Sequence, residues 1–203
     1  KPPKGYKFPK SMQRQLLDLL ELASGQKFET PKGLGLDPGK AYRADAQELL
    51  PGDQAYIGFA PGSGGKPKCW DQENFTRLAK AQAEQGRIPV FLLGPQEPEW
   101  LEPIRAQVPS ALFPLQEKDN GFDPLYTIAL AERMTASVSN DSGVGHMVAL
   151  GGRPLISLFG PTVPEKFMPM SEHLTIIEAK NYGGREMSLI PYDAVADALE
   201  GIL

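Results

Sequence analysis

From Gln54 onward, short apolar runs alternate with stretches of helical length, and that alternation leaves few folds open. The runs lie at 55–60 (AYIGFA), 88–93 (IPVFLL), 111–115, 135–140, 154–159 and 174–178 (LTIIE). Helical patterns fall between and after them, at about 71–86, 97–107, 123–133, 143–151 and 191–202. Strands separated by helices pair in parallel, because a helix-length crossover returns the chain to the same end of the sheet. The spacing therefore predicts an α/β, Rossmann-like, doubly wound and mostly parallel sheet of six strands, with helices on both faces. Pro89 has no amide donor, which puts the second run at a strand start or a sheet edge.

The preceding segment is organised differently. Residues 1–9 are rich in Lys and Pro and are expected to be loosely held. Ser11 is positioned to cap a helix reaching about Ala23, whose apolar face carries Met12, Leu16, Leu17, Leu19, Leu20 and Leu22. Gly25 ends it. Residues 26–40 contain Pro31, Gly33, Gly35, Pro38 and Gly39, the composition of a linker, and a weak helix is expected over 41–50 before the turn Pro51-Gly52-Asp53. Residues 1–50 are thus expected to be the remnant of a preceding domain, and residues 51–203 the Rossmann-like domain. The chain begins at Lys1 rather than Met, so it is expected to be part of a longer one.

Composition removes several function classes. With 203 residues, 41% of them hydrophobic, the chain suffices for one good core. A net charge of −4 offers no basic face to nucleic acid. Cys69 is the one cysteine, which excludes an internal disulfide and a zinc-type cluster and fits a reducing cytosol. No apolar run approaches the roughly 20 residues of a transmembrane helix, and no signal peptide is visible.

The chemistry concentrates in Ser137 to Thr162, SVSNDSGVGHMVALGGRPLISLFGPT. A strand ends in Asn140-Asp141-Ser142-Gly143, a small-residue helix starts with His146 in its first turn, and a second strand stops at Gly160-Pro161-Thr162. Ligands of open α/β sheets sit where strands end, and the free N–H groups of a helix start favour an anion there. His146 is suited to donate to a phosphate, against the plainer reading of a packed core histidine. Ser142 and Asp141 serve equally well as helix caps. A carboxylate would repel a diphosphate, so sugar hydroxyls are the more sensible partners for Asp141. Ser142 lacks a well-placed base in His146, one turn onward on the same helix, so a hydrolase triad finds little support.

A second constellation is Ala60 to Trp70, APGSGGKPKCW. Its glycines admit close backbone approach to an anion, and Lys66 and Lys68 add charge. It is no Walker loop, since Ala60 replaces the first glycine and Pro67 the Ser or Thr that would bind magnesium. Nor is it a dinucleotide fingerprint, with Pro67 at the third glycine position. Past the second strand, in Gly94-Pro95-Gln96-Glu97, Glu97 is placed to accept hydrogen bonds from a ribose. Glu99 more simply complements a helix dipole.

Taken in order, PGSGGKPKCW, LLGPQE and SNDSGVGHMVALGGRPLISLFGPT resemble glycosyltransferase family 9, the bacterial ADP-heptose:lipopolysaccharide heptosyltransferases. The likeness covers about residues 50–203. It implies a GT-B fold, two Rossmann-like domains across a cleft, of which this would be the C-terminal, donor-binding half. It implies inverting transfer with no cofactor and no metal. Ser63 and Gly64 match donors at the phosphates, Lys68 the phosphate lysine, and Glu97 the ribose-binding acid. Asp141 matches the residue near the sugar hydroxyls, while Ser142, Gly143 and His146 match the diphosphate-binding helix start. Lys68 and His146 would stabilise charge on the leaving nucleoside diphosphate, and an ADP-heptose-like nucleotide-sugar would be the donor.

The chain departs from the pattern in one respect. The family's general base is an Asp in the first Gly-rich turn of its N-terminal domain, and no such turn is present. The expectation is donor binding without transfer by these residues alone, with a lipopolysaccharide or other surface-glycan acceptor reached through the other half. The implied location is the cytoplasm, peripheral to the inner membrane face. The alternative is a non-catalytic nucleotide-sugar-binding or interaction module of the same fold, and a nucleotide-sugar epimerase of GT-B architecture is a third reading.

Overall fold

The computed structural model describes residues 5–7, 9–118 and 122–203. The expectation for residues 1–9 falls partly on 1–4 and 8, outside the described residues. Helices α1 (Met12–Ser24) and α2 (Lys40–Leu49) precede strand β1 (Tyr56–Ala60). There follow α3 (Gln72–Glu84), β2 (Ile88–Phe91), α4 (Leu101–Gln107), α5 (Pro124–Glu132) and β3 (Ala136–Asn140). Next come α6 (Gly143–Leu150), β4 (Leu155–Phe159), the short α7 (Pro164–Phe167), β5 (Leu174–Glu178) and α8 (Tyr192–Glu200).

Local chemistry sets several boundaries. The Ser11 hydroxyl accepts from the Arg14 amide at 3.3 Å, and α1 ends at Gly25, whose φ of 71° favours glycine. Asp71 caps α3 by accepting from the Glu73 amide at 3.0 Å, and Gly86, at φ 80°, follows its end.

The strands form one parallel sheet in the order β2-β1-β3-β4-β5. Its five members correct the expected six. Residues 111–115 contribute an isolated bridge from Leu112 to Val90, because Pro114 has no amide to extend the ladder and the chain turns there. Pro89 does lie in an edge strand, β2.

Alternation along the strands divides the core in two. Ile57 and Phe59 pack on one face with Phe75 and Leu78 of α3, Ile104 of α4, and Val195 and Leu199 of α8. Tyr56 and Ala60 face the other way, toward Ala46 of α2, Leu130 of α5 and Val148 of α6. Both faces are covered, which is why β1, β3 and β4 are buried along their whole length. This is the doubly wound arrangement. α2 packs on α5, whereas α1 buries none of its residues and leaves Leu16, Leu19, Leu20 and Leu22 from 48 to 60% exposed.

Candidate functional site

Because the sheet is parallel, the loops after β1, β2, β3 and β4 emerge along one edge. The chain leaves β1 toward β2 and later returns to the opposite side of β1 as β3, so the winding reverses between them. In open α/β sheets that reversal point is where ligands are held. The loop 61–69 after β1 and the turn at 141–142 after β3 meet there.

Asn140, fully buried, joins the two. Its amide donates to Pro61 O at 2.6 Å, and its Oδ1 accepts from the Trp70 amide at 3.0 Å. One side chain thus pins both ends of the Gly-rich loop. Trp70 is itself anchored: its ring is buried edge-on against Phe75, and Nε1 donates to Ile190 O at 2.9 Å.

The pinned loop delivers its polar residues to Asp141. Ser63 Oγ donates to the Asp141 carbonyl at 2.9 Å, and Lys68 Nζ reaches Asp141 Oδ2 at 3.1 Å. Thr162 Oγ1, from the turn after β4, donates to the same Oδ2 at 2.7 Å. The Asp141 side chain is 7% exposed and that of Lys68 36%, so the pair sits at a protein–water boundary with the ammonium on the open side.

Helix α6 starts beside this cluster. Ser142 caps it by accepting from the Gly145 amide at 3.1 Å, whereas Asp141 is engaged elsewhere. Gly145 is where the helix presses on β3: a Cβ there would lie 2.7 Å from Ser139 Oγ and 3.0 Å from Asn140 O. Gly143 faces open space. His146 is exposed, close enough to Asp141 and Lys68 to feel both charges. Its pKa lies below the ordinary value, chiefly because partial burial disfavours the imidazolium. Asp141 opposes that effect and Lys68 reinforces it. The imidazole also borders an apolar groove of about 320 Å³ lined by Leu16, Leu34, Leu150 and Phe167.

Glu97 stands on the other side of the loop. Its buried carboxylate lies against the α-carbons of Gly62 and Gly94. Burial raises its pKa, the Gly94 amide opposes this by hydrogen bonding, and Glu99 adds to the rise. Gly64 projects into open space and makes no close side-chain approach. Among the described residues no group of three or more His, Cys, Asp or Glu is arranged to hold a metal.

The structure therefore gathers Ser63, Lys68, Asp141, Ser142, Gly143 and His146 at one sheet edge, with Glu97 across the loop. Sequence reasoning did not single out Thr162 or the clamp made by Asn140. A hydroxyl in the turn closing β4 was the available signal for Thr162, but its value depends on β4 lying next to β3.

The fold and this edge define a Rossmann-like α/β domain with a cluster of polar side chains at its switch point. The sequence model of glycosyltransferase family 9 (heptosyltransferase) matches residues 6–188, and the chain belongs to that family. It is 37% identical over 139 residues to lipooligosaccharide heptosyltransferase 2 of Haemophilus influenzae, a match covering 66% of this chain and 39% of that protein. The solved glycosyl transferase family 9 protein of Veillonella parvula superposes with a TM-score of 0.81 at 22% identity, covering 97% of this chain and 62% of that one. E. coli heptosyltransferase WaaC with ADP gives 0.67 at 21% identity, with 98% and 60% covered. The chain spans well under two thirds of the length of the curated relatives it matches.

Proposed function

We propose that this chain is the nucleotide-sugar-binding half of an inverting heptosyltransferase-like glycosyltransferase, with an ADP-heptose-like donor and a lipopolysaccharide or related surface-glycan acceptor. One observation carries the reading: Lys68, the open start of α6 and His146 lie together around Asp141 at the switch point. Lys68 and the α6 amides face the diphosphate, and His146 donates to it once protonated. Asp141 accepts from the sugar and Glu97 from the ribose, while Ser63, Gly64, Ser142 and Gly143 complete the wall. Positive groups fixed at the diphosphate lower the cost of charge developing on the leaving group.

Transfer needs a base within hydrogen-bond reach of the acceptor hydroxyl. We assign that base to an acceptor-side domain, so that residues 1–203 alone bind donor without transferring sugar. Residues 1–50 belong with that domain in this reading. The four exposed leucines of α1 support it, while α2 fastens the segment to α5. Among the described residues no helix is long and apolar enough to cross a membrane. We place the work in the cytoplasm, at the inner membrane face where such acceptors lie.

Calorimetric titration with ADP, ADP-heptose, GDP-sugars and UDP-sugars tests the assignment. Lys68→Ala and His146→Ala should each weaken ADP binding by about 1.5–3 kcal/mol, the usual worth of a hydrogen bond to a charged group. Unchanged affinity in both variants would overturn the site, and transfer by the chain alone would overturn the assignment of the base.

A further inference from the structure

The two carboxylate oxygens of Asp141 are used unequally. Both Lys68 Nζ and Thr162 Oγ1 bind Oδ2, at 3.1 and 2.7 Å, and among the described residues no side-chain hydrogen bond or ion pair reaches Oδ1. The rest of the residue is held still. Its amide donates to Leu158 O at 3.0 Å, tying it to β4, and its carbonyl accepts from Ser63 Oγ at 2.9 Å. What remains adjustable is rotation of the carboxylate about its terminal torsion, which has broad minima and no strong preference of its own. The direction of Oδ1 is therefore set by the hydrogen bonds on Oδ2.

We propose that Thr162 is a positioning residue for recognition of the donor sugar: together with Lys68 it locks Oδ2, so that Oδ1 faces the donor and accepts one sugar hydroxyl. This rests on the donor-pocket reading above. The chemistry of the two partners explains the division of labour. An ammonium has three N–H donors, and spending one on Asp141 leaves two for the diphosphate. A threonine hydroxyl satisfies the same oxygen without adding a second positive charge to compete with Lys68. Lys68 alone would anchor the carboxylate through a flexible four-carbon stem, which holds direction poorly. Thr162 comes from a different strand end, so the two anchors reach Oδ2 from separate loops and fix the carboxylate plane. The side chain is 7% exposed, and Oδ1 is not one of the buried polar atoms left without a partner, so the unused oxygen is the one within reach of a ligand.

The test separates nucleotide from sugar. ADP and ADP-heptose are titrated calorimetrically into the unaltered chain, Thr162→Val and Thr162→Ser, with thermal denaturation of each. Thr162→Val should lose about five- to tenfold in ADP-heptose affinity, within the usual worth of one hydrogen bond, with ADP affinity changed less than twofold. Thr162→Ser should restore the sugar-dependent increment. Equal losses for the two ligands, or no loss for either, would overturn the positioning role while leaving the pocket standing. Absence of ADP binding by the unaltered chain would remove the pocket and this role with it. The unaltered chain gives a second readout if Thr162→Val folds poorly: the Thr162 methyl resonance should move on adding ADP-heptose and stay in place with ADP. An equal shift with ADP would also overturn the proposal.

Discussion

The carboxylate of Glu97 occupies the space where Gly62 lacks a side chain: a Cβ on Gly62 would lie 2.5 Å from the Glu97 carboxyl carbon. Gly94 leaves a similar gap, with its Cβ position 2.8 Å from Oε2. Two glycines, one after β1 and one after β2, thus make room for one buried acid. Gly62→Ala should displace that acid and cost about 1–3 kcal/mol of stability, as overpacking does. Chemical denaturation measures the loss, and calorimetry should show weaker ADP binding alongside it. A variant as stable as the unaltered protein would show that the loop yields freely.

Glu97 also predicts a pH dependence. Its folded pKa lies above the ordinary 4.5 because burial disfavours the ionised form. A raised carboxyl pKa contributes stability at pH below the unfolded value, and that contribution disappears as pH rises through the folded pKa. At pH 7 the ionised group is therefore a net cost. Glu97→Gln should raise the Tm at pH 7, with the gain shrinking toward pH 4, while ADP affinity falls. A Tm gain independent of pH would point to packing rather than ionisation.

Asn140 should be the least replaceable polar residue of the site. Asn140→Ala leaves Pro61 O and the Trp70 amide without their partner and releases both ends of the 61–70 loop. Each buried unsatisfied group costs about 1–3 kcal/mol, so a total loss of about 2–6 kcal/mol is expected. Amide hydrogen exchange at Trp70 should quicken more than exchange in α5. Uniform acceleration across the chain would instead mean that the fold, and not the loop, had loosened.

Two glycines of α6 give an internal contrast. Gly145→Ala drives a methyl onto Ser139 and Asn140 and should lower stability by about 1–3 kcal/mol, whereas Gly143→Ala meets open space and should change it by less than about 0.5 kcal/mol. Comparable Tm values for the two would contradict the close approach of α6 to β3.

Protonation of His146 should couple to the nucleotide. Without ligand its folded pKa is below 6.5, so the stability tied to its neutral form is present above 6.5 and lost as pH falls through the folded value. A bound diphosphate reverses the preference by attracting the imidazolium. ADP should then bind more tightly at pH 6 than at pH 7.5, taking up a proton detectable by calorimetry in buffers of different ionisation enthalpy. His146→Ala should abolish that uptake. Persistence of the uptake in the variant would assign it to another group.

Much of this architecture was written locally. The alternation of apolar runs with helix-length segments fixed the fold class, and Ser11, Gly25, Asp71 and Gly86 marked helix ends because capping depends on atoms a few residues away. The expected strand at 111–115 failed for a reason also present in the sequence, Pro114, whose missing amide limited it to a bridge. Pairing across the sheet was beyond such reasoning. Asn140 meets Pro61 and Trp70, 79 and 70 positions away, and Thr162 meets Asp141 only because β4 settles beside β3. The sequence by itself determined which residues stand at strand ends with chemistry to offer. Strand order, fixed by burying apolar surface on both faces of the sheet, decided which of them share an oxygen.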